Sequence, residues 1–242
     1  MITSQEKERY LRQIAIEGFG EKGQEALSQA RVLVAGAGGL GCAVCTYLAA
    51  AGIGTLRVVD RGEVELSNLN RQVLFGTGDI GKAKAPTLEA RLRDMNPAVR
   101  YEALNKTITE ESISGMLDRI DLVVDALDNL PTRYLLNKAC LDAGLPLVHG
   151  AVHGFQGQAM TVIPKRGPCL MCLFGGIEHT GIIPVIGTAP GIVGCIQATE
   201  VIKILTGLGA PLVGRLLLID GLEMRVTEVE VARNPSCPHC GS

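Results

Sequence analysis

Apolar and polar positions along this chain fall into a repeating order: a short apolar run closed by glycine or a carboxylate, then a longer stretch with helical spacing. Residues 4–28, rich in Glu, Gln, Lys, Arg, Ala and Leu between glycines at 18, 20 and 23, predict two short helices ahead of the main fold. Residues 31–35 predict a strand, the stretch from Gly36 to Gly41 a glycine turn, and residues 42–51, dense in Ala, Leu and Cys, a helix. A second strand over 55–59 stops at Asp60 and completes a βαβ unit. Further on, helices are predicted over 82–94, 109–117 and 131–143, the last with Pro131 in its first turn, and strands over 99–104, 121–126 and 146–149. This alternation predicts an α/β fold with a Rossmann-like, mostly parallel sheet to about residue 150.

Beyond Gly157 the texture changes. Strands at 158–163, 216–220 and 224–231 bracket one long helix at 190–205, and these later strands are expected to pair antiparallel. No internal repeat or low-complexity linker divides the chain. One domain over 1–242 is therefore expected, with a helical arm over 1–30, a nucleotide-binding half over 31–150 and a second half over 151–242 extending the same sheet. Residues 61–81 are polar and aperiodic, and long connections of that kind usually carry function.

Composition narrows the class. At 47% hydrophobic and 20% charged, the chain can bury a sizeable core and is not disordered. Only 3% is aromatic, so aliphatic side chains must fill that core, as in parallel sheets covered by helices. A net charge of −2 without a long basic run gives no support for nucleic-acid binding. The polar N-terminus is no secretory signal and no apolar run approaches the length of a membrane span, so a cytoplasmic protein is expected. In that compartment the eight cysteines read as metal ligands, catalytic thiols or buried small residues rather than as disulfides.

Two groups of residues carry candidate chemistry. Gly36, Gly38 and Gly41 form G-x-G-x-x-G between a strand and a helix, where phosphates can approach backbone N–H groups, and Asp60 ends the next strand, where it can accept from ribose hydroxyls. The same pattern serves NAD as well as ATP, so an NAD-dependent oxidoreductase stays open at this point. Cys169-Leu-Met-Cys172 and Cys237-Pro-His-Cys240 are two C-x-x-C pairs, the ligand set of a closed structural Zn²⁺ site. A redox pair is the competing reading, and His239 gives a formal Cys₃His alternative. Cys42, Cys45, Cys140 and Cys195 fall in apolar helical stretches and are expected in the core.

From Arg9-Tyr-Leu-Arg-Gln13 through Gly36-Ala-Gly-Gly-Leu-Gly41, Ser67-Asn68-Leu69-Asn70-Arg71-Gln72 and Asp125-Ala-Leu-Asp128-Asn129 to the two C-x-x-C pairs, the chain resembles the ThiF, MoeB and HesA family of adenylyltransferases, bacterial relatives of ubiquitin-activating enzymes. The resemblance implies that Gly39 lies against ATP, Asp60 holds its ribose, Asn68, Arg71 and Lys84 embrace the triphosphate, and Asp128 holds Mg²⁺. It implies that Arg12 reaches into the ATP site of a second subunit in a homodimer. The bland alternatives are a solvated helical Arg12, a surface Lys84 and an Asp128 that merely caps the helix before Pro131. The implied partner is a ubiquitin-like sulfur-carrier protein whose C-terminal glycine carboxylate, at the end of a Gly-Gly tail, is adenylylated for thiamine or molybdopterin biosynthesis. The stretch from Gly150 to Gly157 is closer to the thiamine members.

Many relatives carry a cysteine ahead of the long C-terminal helix, whereas residues 178–190 here contain none. Adenylylation without a crossover thioester is expected, with an external persulfide or thiol attacking the acyl adenylate. No sulfurtransferase-like segment follows Ser242, so the sulfur donor is expected to be another protein. A catalytically silent, zinc-stapled binding scaffold is the reading from outside enzymology.

Overall fold

The structure, a computed structural model, describes residues 2–175 and 183–241. An arm of α1 (Ser4–Arg9), α2 (Leu11–Ile14) and α3 (Gly20–Gln29) leads into β1 (Arg31–Ala35), α4 (Gly39–Ala51), β2 (Thr55–Val59), α5 (Lys84–Met95), β3 (Arg100–Leu104), α6 (Glu110–Met116), β4 (Leu122–Asp125), α7 (Leu130–Ala143) and β5 (Leu147–His153). The second half adds β6 (Gln156–Val162), α8 (Leu170–Phe174), α9 (Thr188–Thr206), β7 (Arg215–Asp220) and β8 (Arg225–Glu230). The described strands lie in one eight-stranded sheet of order β3-β2-β1-β4-β5-β6-β7-β8. The first five run parallel, and β5 to β8 pair antiparallel as expected.

Alternation along the parallel strands sends neighbouring residues to opposite faces. Val32, Val34, Leu56, Val58, Leu122 and Val124 pack with α4, α5 and α9 on one face. Leu33, Val123, Leu147 and Met160 pack with α6, α7 and α8 on the other. Because both faces are covered, the central strands read as continuous apolar runs.

Four elements depart from the sequence expectation. The arm holds three helices, because Tyr10 interrupts the first two. The first C-x-x-C pair falls on α8, a helix whose only local signal is a short apolar run. Strand β5 continues to His153, since past Gly150 it forms a hairpin with β6, register His153↔Gln156, a pairing invisible in a stretch rich in Gly and His. Helix α9 does have the length and apolarity of a membrane span, contrary to the reading above. That apolarity is directed at the interior: Val193, Ala198 and Val201 are buried against the sheet, and a Cβ on Gly194 would stand 2.6 Å from the Cβ of Ala43 in α4.

Candidate active site

The glycine turn joins β1 to α4 at the C-terminal edge of the parallel strands, the edge at which open α/β sheets take ligands. Gly36 has φ +105°, and a Cβ on Gly41 would lie 2.0 Å from the Gly36 carbonyl oxygen, so neither position admits a side chain. Gly38 is the N-cap of α4 and offers no side-chain cap, leaving the positive end of the helix open to an anion. The Asp60 carboxylate braces this turn: Oδ2 accepts the Ala37 N–H at 2.7 Å and Oδ1 the Gly62 N–H at 2.7 Å. Lys84 is the first residue of α5, and a Cβ on Gly62 would come within 3.5 Å of its Nζ and 3.0 Å of Asp60 Oδ1. The ammonium and the carboxylate therefore share one rim.

The polar connection closes over the turn. A 3₁₀ turn, Leu66–Asn68, is fixed by buried Asn68, whose Oδ1 accepts the Glu65 N–H at 3.1 Å. Arg71 Nη1 donates to the Ser67 carbonyl at 2.8 Å and to Asn70 Oδ1 at 3.1 Å, so both neighbours orient the guanidinium, while Leu69 packs into the core. A Cβ on Gly39 would meet Pro190 of α9 at 3.0 Å and Cγ of Arg71 at 3.5 Å, so the missing side chain lets Pro190 and the Arg71 stem pack directly on the first turn of α4, beside the bare N-terminus that forms the cradle. Gln72 is buried beside Gly38, and its Oε1 has no hydrogen-bond partner among the described residues. An orphaned buried acceptor beside a bare helix N-terminus fits a site that completes its hydrogen bonds with a nucleotide.

Strands β1 and β4 are neighbours, so the β4–α7 loop leaves the sheet beside the glycine turn; the Ala126 carbonyl would be 2.5 Å from a Cβ on Gly36. The N-cap of α7 is Asn129, which accepts the Thr132 N–H at 3.0 Å, so Asp128 is not the cap. Asp128 is exposed, and among the described residues its carboxylate has only a long 3.4 Å contact from Asn129 Nδ2. Those free oxygens fit a hard cation.

Behind this loop lies a buried polar network that the sequence reading missed. Asp125 Oδ2 meets His149 Nδ1 at 2.7 Å, and its Oδ1 accepts the Leu127 N–H at 3.1 Å with Arg133 Nε at 3.5 Å. Burial opposes the charge on Asp125, but the Arg133 guanidinium and His149 hold its carboxyl below the usual range. Burial also pushes His149 down despite the carboxylate, which keeps the imidazole neutral. The one local cue was a carboxylate in the strand Leu-Val-Val-Asp, where an unpaired charge could not be buried.

Arg12 stands apart. It is exposed on α2, and the next residue, Gln13, donates to the Ala51 carbonyl at the C-terminal end of α4. The glycine turn is at the other end of that helix, about 18 Å away at 1.5 Å per residue. The chain does not bring Arg12 to its own cradle.

The four C-x-x-C sulfurs converge into one cluster, all within 4.8 Å of one another, with Sγ–Sγ distances of 4.0, 3.7 and 3.4 Å for Cys169–Cys172, Cys169–Cys237 and Cys172–Cys240. A tetrahedral site with 2.3 Å metal–sulfur bonds would put them about 3.8 Å apart. Burial pushes the Cys169 thiol up to about 12, while Cys237, against its own burial, is drawn down to about 7 by backbone hydrogen bonds from Cys240 and His239. His239 turns its Nδ1 to Asn137 Nδ2 at 3.0 Å, outside the ligand set, and Asn137 Oδ1 accepts the Leu170 N–H. Cys42, Cys45 and Cys140 are buried as expected, whereas Cys195 on α9 is half-buried.

Residues 10–239 match the model of the ThiF family. The chain belongs to the ThiF family. It is 46% identical to a "Sulfur carrier protein adenylyltransferase" of Thermus thermophilus, over 99% of this chain and 92% of that one. It is 45% identical to a "SAMP-activating enzyme E1" of Haloferax volcanii, over 99% and 91%. Among solved structures it shares the fold of E. coli MccB crystallised with MccA-N7isoASN, with a TM-score of 0.87 at 22% identity, covering 97% of this chain and 75% of that one. ThiF-family membership decides between the two readings of the glycine turn: the chain is an adenylyltransferase, and the NAD reading falls.

Proposed function

We propose that this adenylyltransferase activates the C-terminal glycine carboxylate of a ubiquitin-like sulfur-carrier protein with ATP, releasing pyrophosphate. The observation that carries the reading is the cradle at the bare α4 N-terminus, with Arg71 and Pro190 packed on Gly39, the unpaired Gln72 Oε1 beside Gly38, and Asp60 and Lys84 at the glycine turn. Asp60 would accept from the ribose hydroxyls while keeping the turn braced. The α4 N-terminus, Asn68, Arg71 and Lys84 would bind phosphate oxygens and offset the charge that develops as the carboxylate attacks the α-phosphate. Mg²⁺, when bound, supplies further neutralisation of the phosphates, and Asp128 would hold it. The four-cysteine cluster would hold Zn²⁺ with no open position, which makes it a staple and not a catalyst.

A cleft of about 500 Å³ on the β5–β8 face, lined by Ala151, His153, Gln158, Leu218 and Arg225 among others, opens at the same sheet edge and suits an extended Gly-Gly tail. Of the cysteine-free stretch, residues 178–182 lie outside the described residues. With Cys195 within α9 and Cys172 in the cluster, the acyl adenylate is left for an external persulfide or thiol. A cluster of free cysteines fits a reducing, cytoplasmic setting.

The test is exchange of labelled pyrophosphate into ATP with candidate Gly-Gly carriers. Exchange should need the carrier and vanish with Asp128→Ala. Silence with every carrier, while ATP still binds, would replace the carrier tail with another carboxylate as the substrate.

Because Arg12 lies at the far end of α4 from its own cradle, it would act across a homodimer. Arg12→Ala and Arg71→Ala should each be nearly inactive, yet random mixing of the two should restore about one quarter of the wild-type rate, since half the dimers are mixed and one site of each is intact. No recovery after proven subunit exchange would remove Arg12 from the site.

A further inference from the structure

His149 is buried at the centre of β5, remote in sequence from the ATP-site residues and unused by the chemistry above. Its Nδ1 lies 2.7 Å from Asp125 Oδ2, its Nε2 3.2 Å from the side-chain nitrogen of Gln158, and its ring packs on Phe174 with centroids 5.6 Å apart. These contacts select one tautomer: Nε2 accepts from the Gln158 amide, so Nδ1 carries the proton and donates to Asp125. Asp125 then spends its other oxygen on the Leu127 N–H, and Arg133, held by Asp125, donates Nη2 to the carbonyls of Leu127 and Gly150, the latter at 2.9 Å. Both ends of the Leu127 residue are thus tied to buried charges, and the next residue is Asp128. On its other side Asp128 is followed by the α7 cap Asn129, and among the described residues its exposed carboxylate has only the 3.4 Å contact from Asn129 Nδ2.

We infer that His149 is a positioning residue for carboxylate activation: by orienting Asp125 it fixes the Leu127 backbone, and through it the carboxylate that meets the metal on ATP. The inference rests on the reading of Asp128 as the Mg²⁺ ligand. Partners one step behind a metal ligand commonly set its affinity by about 10-fold to 100-fold. Gln158, at the other end of the imidazole, lines the cleft, so the same chain of hydrogen bonds begins where the carrier tail would lie.

The two nearest amide replacements separate orientation from packing. In His149→Asn the amide nitrogen replaces Nδ1 and can still donate to Asp125. In His149→Gln it replaces Nε2, reaching Gln158 and leaving Asp125 without its donor. Mn²⁺ binding, read by electron paramagnetic resonance with a non-hydrolysable ATP analogue present, should weaken about tenfold in His149→Gln and stay within about twofold of wild type in His149→Asn. Hydrogen exchange at the Leu127 amide should rise in His149→Gln alone, and pyrophosphate exchange should fall with little change in KM for ATP. Mn²⁺ affinity unchanged in His149→Gln, or equal losses in both variants, would overturn the inference. Asp128→Ala is measured alongside: if it keeps wild-type Mn²⁺ affinity, the assignment of Asp128 is what fails, and the role of His149 fails with it.

Discussion

Replacing Arg71 by alanine is expected to lower kcat for carrier-dependent pyrophosphate exchange by about 10²–10³-fold, the cost of removing one preorganised donor from developing charge. Arg71 is oriented before any substrate arrives, with Nη1 bonded to the Ser67 carbonyl and Asn70 Oδ1 and its stem packed against Gly39. Little reorganisation is then left for the moment of reaction. Because charge on the phosphate oxygens grows as the carboxylate attacks, the loss should appear in turnover more than in ATP affinity. Arg71→Lys should recover only part of the rate, since an ammonium keeps the charge but cannot serve the orienting oxygens and a phosphate with one planar fork. Single-turnover adenylate formation, measured beside equilibrium ATP binding, separates the two effects. Equal losses in both would make Arg71 a binding residue only.

What the sequence revealed and what it concealed follow from how far apart the interacting residues are. The glycine turn, Asp60 and the strand–helix alternation are local patterns, and each element formed close to its expected place. The C-x-x-C pairs are far apart from each other, 68 residues between Cys169 and Cys237, but thiolate spacing is so specific to a four-coordinate metal that their meeting could be foreseen. The Asp125–His149–Arg133 network could not. Its members come from β4, β5 and α7, and each alone reads as a strand end or a helix residue. The alternative of Asp128 as a helix cap could not be settled for a different reason: Asp128 and Asn129 have equal capping propensity, and only the turn geometry assigns the cap to Asn129. That assignment leaves the carboxylate free. A span-like α9 illustrates the converse, since apolarity all round a helix cannot distinguish a membrane from the inside of a two-faced sheet.

The second large effect concerns the tail. Strand β8 is exposed along its whole length, and beyond it the chain is tied back by the Val231 N–H donating to the Gly214 carbonyl at 2.8 Å, by Arg233 bonding the Cys240 carbonyl, and by the cysteine cluster. A metal joining Cys169 to Cys237 closes a loop of 68 residues, and the chain entropy removed by such a cross-link is worth about 4 kcal/mol. For a domain of this size, that predicts a fall in Tm of about 8–16 °C in Cys172→Ser or after exhaustive chelation. Cys169 and Cys237 are also buried with Leu170, Met160 and Leu216, so losing the staple should uncover that face of the sheet and increase binding of a hydrophobic dye. Cys195→Ser, which touches no sulfur of the cluster, is the control and should melt with wild type. Metal analysis of the purified chain should give one zinc per polypeptide, lost in Cys172→Ser. A Cys172→Ser protein that melts with wild type would show that the tail is held by packing alone and that the four sulfurs converge without carrying the fold.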